Sequence, residues 1–158
     1  MQNIDQEYPS QHKSKIFAFA GWLALCYSAS ITGVFISPDD WYASLNKPSW
    51  NPPGWVFGPV WTTLYFMMAY SAWTVWKQGG WAAQRKPLFY FLIQLVLNAA
   101  WTPLFFGLHK PSLALANIAL LGLVIVITMI HFWRVSPVAS YLLIPYLAWV
   151  SFASYLNF

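Results

Sequence analysis

Charged residues divide the chain into five long uncharged stretches. No Asp, Glu, Lys or Arg occurs between Lys15 and Asp39, nor within 51–76, 87–108, 111–130 or 135–158. Each stretch has about 20 residues, the length of an α-helix that crosses roughly 30 Å of hydrocarbon. No stretch alternates apolar and polar residues as a barrel strand would. The pattern therefore predicts an all-α integral membrane protein, a bundle of five transmembrane helices at about 16–37, 55–77, 87–108, 111–133 and 138–158.

The segments outside these helices are mostly short. Residues 1–15 form a polar N-terminal tail, 38–54 is the one sizeable loop, and the other connections have few residues. Short connections make consecutive helices antiparallel neighbours in one bundle. We therefore predict a single transmembrane domain over 16–158.

The first apolar stretch also resembles a cleavable signal peptide. Lys13 and Lys15 precede it, and Ser28-Ala29-Ser30 is an acceptable cleavage site. Apolar residues continue beyond Ser30, so we interpret the stretch as a retained helix and keep cleavage as the alternative. Lys and Arg are unequally divided between the two ends of the predicted helices, six on the N-terminal side and two, Lys47 and Lys110, on the other. The positive-inside rule then predicts a cytoplasmic N-terminus, with the host membrane left open.

Composition excludes several functional classes. Apolar residues make up 59% of the chain and charged residues 8%, whereas soluble domains have roughly 25% charged residues. The single cysteine, Cys26, excludes an internal disulfide, and the scattered basic residues do not form a nucleic-acid-binding stripe. Asp39 and Asp40 are adjacent rather than a spaced catalytic pair, and no histidine has a partner at metal-ligand spacing. We therefore predict no metal site, no cofactor and no acid–base catalytic residues.

Polar and aromatic side chains recur on one face of several predicted helices. Gln94, Asn98 and Trp101 follow one another in steps of four and three residues, which places them on one face. Such groups turn towards the interior of a bundle, so we predict an aromatic pocket for a flat, hydrophobic ligand with one or two hydrogen-bond acceptors. The alternative is that the amides only bond neighbouring helices and the aromatics only pack. The other helices contribute Trp61 and Tyr65, then Asn117, then Trp149, Ala153 and Leu156.

The loop over 38–54 is stiff and aromatic. Its four prolines restrict the backbone, and Trp41, Tyr42 and Trp50 make it amphipathic. A rigid aromatic loop next to a bundle is typical of a lid over a pocket, and the alternative is a loop resting on lipid headgroups.

Three stretches together resemble the TspO/MBR family of translocator proteins. They are WYASLNKPSWNPPGWVFGPVWTTLY (41–65), QLVLNAAWTPLFFG (94–107) and LLIPYLAWVSFASYLN (142–157). The resemblance implies a bundle of five transmembrane helices, commonly a homodimer, that binds porphyrins such as protoporphyrin IX and benzodiazepine-type ligands beneath the first loop. The family's cavity positions correspond to Trp41, Trp50, Pro52, Trp61, Tyr65, Gln94, Asn98, Trp101, Asn117, Trp149, Ala153 and Leu156.

The resemblance leaves three functions to separate. The first is a tetrapyrrole-binding receptor or transporter. The second is a light- and oxygen-dependent enzyme that degrades porphyrin through Trp61 and Trp149, and the third is a non-catalytic membrane assembly protein. Sterol binding by the motif of the animal members is not expected, because Leu156-Asn157-Phe158 supplies no Arg or Lys after the last helix.

Overall fold

The computed structural model describes the backbone of residues 7–156 and the side chains of residues 14–156. Residues 1–6 of the expected polar tail lie outside this range, as do the side chain of His12 and the terminal Asn157 and Phe158 on which the sterol expectation depends.

The described residues form helices joined by short turns. The helices are α1 (Glu7–Ser28), α2 (Ile31–Phe35), α3 (Asp40–Ser44), α4 (Gly54–Trp76), α5 (Gly80–Ala83), α6 (Arg85–Thr102), α7 (Pro111–Trp133), α8 (Pro137–Tyr141) and α9 (Ile144–Leu156).

Within the described residues, four helical segments are long and apolar enough to cross a membrane. They are Ser14–Phe35, Arg85–Gly107, Pro111–Trp133 and Pro137–Leu156. The predicted all-α, multi-pass membrane fold is therefore confirmed. Helix α4 has 23 residues and is as long as these four segments. Its four Trp, two Tyr and three Thr make it less apolar, so it is not among the four. The count of five crossings stays a prediction.

The first predicted helix is interrupted after Ser28. The hydroxyl of Ser28 donates to the Leu25 carbonyl at 2.6 Å, and that of Ser30 donates to the Tyr27 carbonyl at 2.7 Å. Serine hydroxyls that bond nearby carbonyls compete with the helical ladder. The break ends α1 and lets α2 begin at Ile31, next to α6.

The third predicted helix ends in a wider turn. Pro103 has no N–H, and residues Pro103–Gly107 form one π-helical turn in which the Leu108 N–H donates to the Pro103 carbonyl at 2.9 Å. The wider turn carries Phe105 and Phe106, which contact the loop from below.

The helices pack around a core of small and apolar side chains. Helix α6 packs most extensively against α7, and α1 packs against α4. Ala69 and Ala72 are fully buried in α4, where they allow close approach of neighbouring helices. Val75, Phe91 and Phe132 are fully buried at the end of the bundle away from the 38–54 loop, and a hollow lies beneath that loop.

Candidate functional site

A cavity of about 1050 Å³ lies between the helices beneath the 38–54 loop. Its walls come from α2, the loop, α4, α6 with its π turn, α7 and α9. Ligand pockets are usually about 300–1,000 Å³, so the space is large enough for a large, flat organic molecule. Its lining includes the side chain of one charged residue, Lys47.

Most of the predicted site residues line this cavity. Trp61 and Tyr65 are stacked on α4, with ring centroids 5.4 Å apart. Trp101 on α6 stacks on Phe105 of the π turn at 5.0 Å, and Phe57 meets Trp149 edge-on at 5.7 Å. The eight predicted residues in the lining are Pro52, Trp61, Tyr65, Asn98, Trp101, Trp149, Ala153 and Leu156.

The structure places the other four predicted residues outside the lining. Trp41 and Trp50 fasten the loop: Trp41 stacks on His109 at 4.4 Å and Trp50 on Tyr155 at 5.0 Å. The Asn117 amide donates to the Leu97 carbonyl of α6 at 3.0 Å, so this amide bonds a neighbouring helix instead of facing the cavity.

Gln94, the fourth of these residues, belongs to a buried hydrogen-bond chain below the cavity. Tyr65 donates to Asn98 Oδ1 at 2.8 Å, the Asn98 amide donates to the Tyr146 hydroxyl at 3.1 Å, and Tyr146 donates to Gln94 Oε1 at 2.7 Å. The chain joins α4, α6 and α9, and Tyr146 is fully buried. Such buried bonds hold the three helices in one arrangement, although Gln94 Nε2, at the end of the hydrogen-bond chain, has no hydrogen-bond partner among the described residues.

Proteins of one family from bacteria and animals have sequences similar to this chain. The TspO/MBR family model matches residues 18–158. The chain is 45% identical over 151 residues to the tryptophan-rich protein TspO of Chlorobaculum tepidum, covering 91% of this chain and 94% of that one. It is 41% identical over 140 residues to the tryptophan-rich sensory protein of Cereibacter sphaeroides, covering 89% and 87%. It is 46% identical over 120 residues to the human translocator protein, covering 75% and 71%.

The chain belongs to the TspO/MBR family. The resemblance drawn from the three sequence stretches is thereby confirmed, and so is its bacterial type, since relatives from bacteria match along most of their length.

Two indole groups of this TspO/MBR cavity have no hydrogen-bond partner among the residues that the structure describes. The Nε1 atoms of Trp101 and Trp149 are buried and unpaired, although both side chains line the cavity. An unpaired buried N–H costs about 1–3 kcal/mol, so such donors are usually satisfied by a ligand or by water. The arrangement offers two donors to a bound acceptor.

The loop of this TspO/MBR chain is attached at its start to the turn before α7. His109 Nε2 lies 2.9 Å from Asp39 Oδ2. Asp39 also caps α3 by accepting a hydrogen bond of 3.2 Å from the Tyr42 N–H. That backbone bond is the main cause of a pKa of Asp39 below its ordinary value, and His109 lowers the pKa further.

Lys47 brings a positive charge to the loop. Its ammonium donates to the Tyr42 carbonyl at 2.6 Å and lies 4.3 Å from the centre of the Tyr42 ring. Lys47 and Tyr42 both line the cavity, so the ammonium lies at the loop side of the ligand space.

Sequence reasoning missed several residues of the TspO/MBR cavity. Phe57 lies one helical turn before Trp61, so the i, i+4 row on α4 contained the signal for it. Phe106 had no such signal, since its position depends on the π turn. Tyr146, which lies below the cavity and outside its lining, was missed as well, because its position depends on the turn before α9. Among the side chains of residues 14–156, no group of three His, Cys, Asp or Glu could hold a metal ion.

Proposed function

We propose that this TspO/MBR protein is a membrane receptor or transporter-like protein that binds a porphyrin-type tetrapyrrole in the cavity beneath the 38–54 loop. The single observation that carries the proposal is a cavity of about 1050 Å³ walled by indole and phenyl rings. Aromatic rings stack on flat, conjugated molecules, and a macrocycle of this kind needs a large pocket with apolar walls.

The polar groups of the cavity support the same ligand class. A porphyrin has an apolar ring with carboxylate side chains at one edge. Lys47, at the loop side, is placed to meet a carboxylate, with which an ammonium forms a charge-assisted hydrogen bond. The unpaired indole N–H groups of Trp101 and Trp149 are donors to further acceptors of the ligand.

We also propose five membrane crossings with the 38–54 loop outside. Helix α4 carries no charged residue, and its 23 residues extend about 35 Å at 1.5 Å per residue. If α4 crosses, six of the eight Lys and Arg residues lie on the same side as the N-terminus, which the positive-inside rule makes the cytoplasmic side. Ala20, Ala24 and Ser28 are exposed on α1 and form a surface of small residues on which a second copy can pack, so homodimerisation stays a prediction.

The second candidate function is oxidative degradation of the bound porphyrin in light. Trp61 and Trp149 both line the cavity, and an indole can donate an electron to an excited porphyrin without any acid–base pair. Turnover to a defined product under light and oxygen supports this function. Stoichiometric bleaching that consumes tryptophan removes it.

Titration of the purified protein in nanodiscs with protoporphyrin IX tests the proposed function. We expect saturable quenching of tryptophan fluorescence at one ligand per chain, because several indoles line the cavity. Trp61→Phe should weaken binding, and Trp55→Phe, whose side chain is 76% exposed and outside the cavity, is the matched control. Absence of saturable binding would contradict the proposal and favour a membrane assembly protein.

A further inference from the structure

A second hollow lies on the outer face of the bundle, between α7 and α9. It is a shallow groove of about 470 Å³ that includes Gly122 and Leu123 on α7 and Ser151 and Ser154 on α9. The hydroxyls of both serines donate to carbonyls of their own helix at 2.8 Å. The groove therefore presents an apolar surface to the lipid.

Only one layer of side chains separates this groove from the cavity. Ile118 of α7 and Val150 of α9 line both spaces, and both are almost completely buried. Neither side chain can form a hydrogen bond, so moving them aside breaks no polar contact.

The α9 wall is anchored at its beginning, where Tyr146 is fully buried and bonds to Gln94 and Asn98. Residues 142 and 143 form a turn between α8 and α9, and Pro145 has no N–H to give to the helix. Helices bend most readily at proline, so α9 can tilt relative to α7 about this point.

The loop side of the cavity is closed by several contacts. Asp39 lies 2.9 Å from His109, Trp41 stacks on His109, and Trp50 stacks on Tyr155. Opening this side requires the Asp39–His109 contact and two ring stacks to separate together. The α7–α9 side requires only apolar side chains to move.

We propose that flat, apolar ligands dissolved in the bilayer pass into and out of the cavity sideways, between α7 and α9, by displacing Ile118 and Val150. The inference rests on the proposed function, since it concerns the same cavity and ligand class. It assigns the outer groove as the place where such a ligand lies before it enters.

Substitution at Gly122 tests the route. A Cβ at Gly122 meets no atom within 4 Å, so Gly122→Leu fills the groove without displacing the backbone. Gly21→Leu is the matched control, because a Cβ at Gly21 also meets nothing within 4 Å and Gly21 lies on α1, away from the groove. Binding is followed by stopped-flow quenching after nanodiscs that hold the protein are mixed with vesicles that hold protoporphyrin IX.

We expect Gly122→Leu to slow association and dissociation by about tenfold each while the equilibrium affinity is unchanged, since the groove is outside the cavity. Val150→Ala thins the wall and should accelerate both rates, which keeps the test valid if Gly122→Leu does not fold. Gly21→Leu should keep wild-type rates.

Asp39→Asn weakens the attachment of the loop, so it distinguishes passage at the loop side from passage between α7 and α9. Unchanged rates support sideways passage. Faster rates in Asp39→Asn, together with wild-type rates in Gly122→Leu and Val150→Ala, would overturn the inference and leave the proposed function intact. Absence of saturable binding to the wild-type protein would overturn both.

Discussion

The hydroxyl of Tyr65 donates a 2.8 Å hydrogen bond to the side-chain oxygen of Asn98, across the interface between α4 and α6. Both residues are buried at the inner end of the cavity, where Asn98 also donates to Tyr146. The pair therefore joins two walls of the ligand space and fixes the orientation of an amide that faces it.

A double-mutant cycle of Tyr65→Phe and Asn98→Ala measures this bond. Hydrogen bonds between membrane helices contribute about 0.6 kcal/mol on average, up to about 1.7 kcal/mol, so we expect a coupling free energy in that range. Asn98→Ala alone should cost more than Tyr65→Phe alone, because it also leaves the Tyr146 hydroxyl without its donor. Unfolding of the purified protein in mixed micelles gives the four free energies, and additive losses would contradict the coupling.

The face of α6 that carries Gln94, Asn98 and Trp101 could be predicted from spacing, but the depth of the cavity could not. One helical turn, about 6 Å of axis, separates Gln94 from Asn98. Tyr146 lies between their side chains and bonds to both, so the cavity ends at Asn98 and Gln94 lies beneath its floor. The position of Tyr146 depends on how α9 packs against α7 and α4, which no local pattern records.

The loop illustrates the same distinction. Its prolines and aromatic residues predicted a stiff segment near the pocket. Of the twelve site residues predicted along the chain, eight line one cavity. The sequence did not indicate that Trp41 and Trp50 stack on His109 and Tyr155, because those partners are far along the chain. Long-range ring stacking, rather than local preference, decides which loop indoles face the ligand.

Removal of the unpaired indole N–H groups should weaken ligand binding without weakening the fold. Trp101→Phe and Trp149→Phe keep an aromatic wall but delete a buried donor that has no partner within the described part of the chain. A hydrogen bond contributes about 0.5–1.5 kcal/mol, so each variant should bind protoporphyrin IX about two- to tenfold more weakly. Porphyrin absorbance measures the affinity, and thermal unfolding without ligand should show no loss of stability.

The control for these two variants is Trp133→Phe. Trp133 is half exposed at the end of α7, meets Tyr141 edge-on at 5.2 Å, and lies outside the cavity lining. Its replacement should leave the affinity unchanged. If Trp101→Phe and Trp149→Phe both bind as tightly as this control, the two donors do not contact the ligand.

The attachment of the loop should depend on pH through Asp39. Its pKa is lower in the folded protein than in the unfolded chain, chiefly through the Tyr42 N–H and then through His109. Such a group contributes stability above its unfolded pKa, and the contribution is lost as the pH falls through the folded-state pKa. The loop contact should therefore persist at neutral and mildly acidic pH and be lost below the ordinary carboxyl range of about 3.9.

Hydrogen exchange of wild type and Asp39→Asn at matched pH measures this effect. At pH 6 the amides of α3 should exchange faster in Asp39→Asn, since the asparagine lacks the carboxylate that contacts His109 and caps α3 less strongly. At the acidic end the wild-type carboxyl is protonated, so the difference between the two proteins should disappear. A difference that is constant across the range would show that the charge of Asp39 has no role.

The number and direction of the membrane crossings can be measured by cysteine labelling. The native Cys26 is fully buried, so it gives little background. Ser49 in the loop and Gln78 after α4 are both exposed and lie at opposite ends of α4. If α4 crosses the membrane and the loop is outside, an impermeant maleimide should label Ser49→Cys in intact cells and Gln78→Cys only after permeabilisation. Labelling of both variants in intact cells would mean that α4 does not cross. Labelling of Gln78→Cys in intact cells, and of Ser49→Cys only after permeabilisation, would mean that the Lys and Arg residues on the N-terminal side do not keep that side in the cytoplasm.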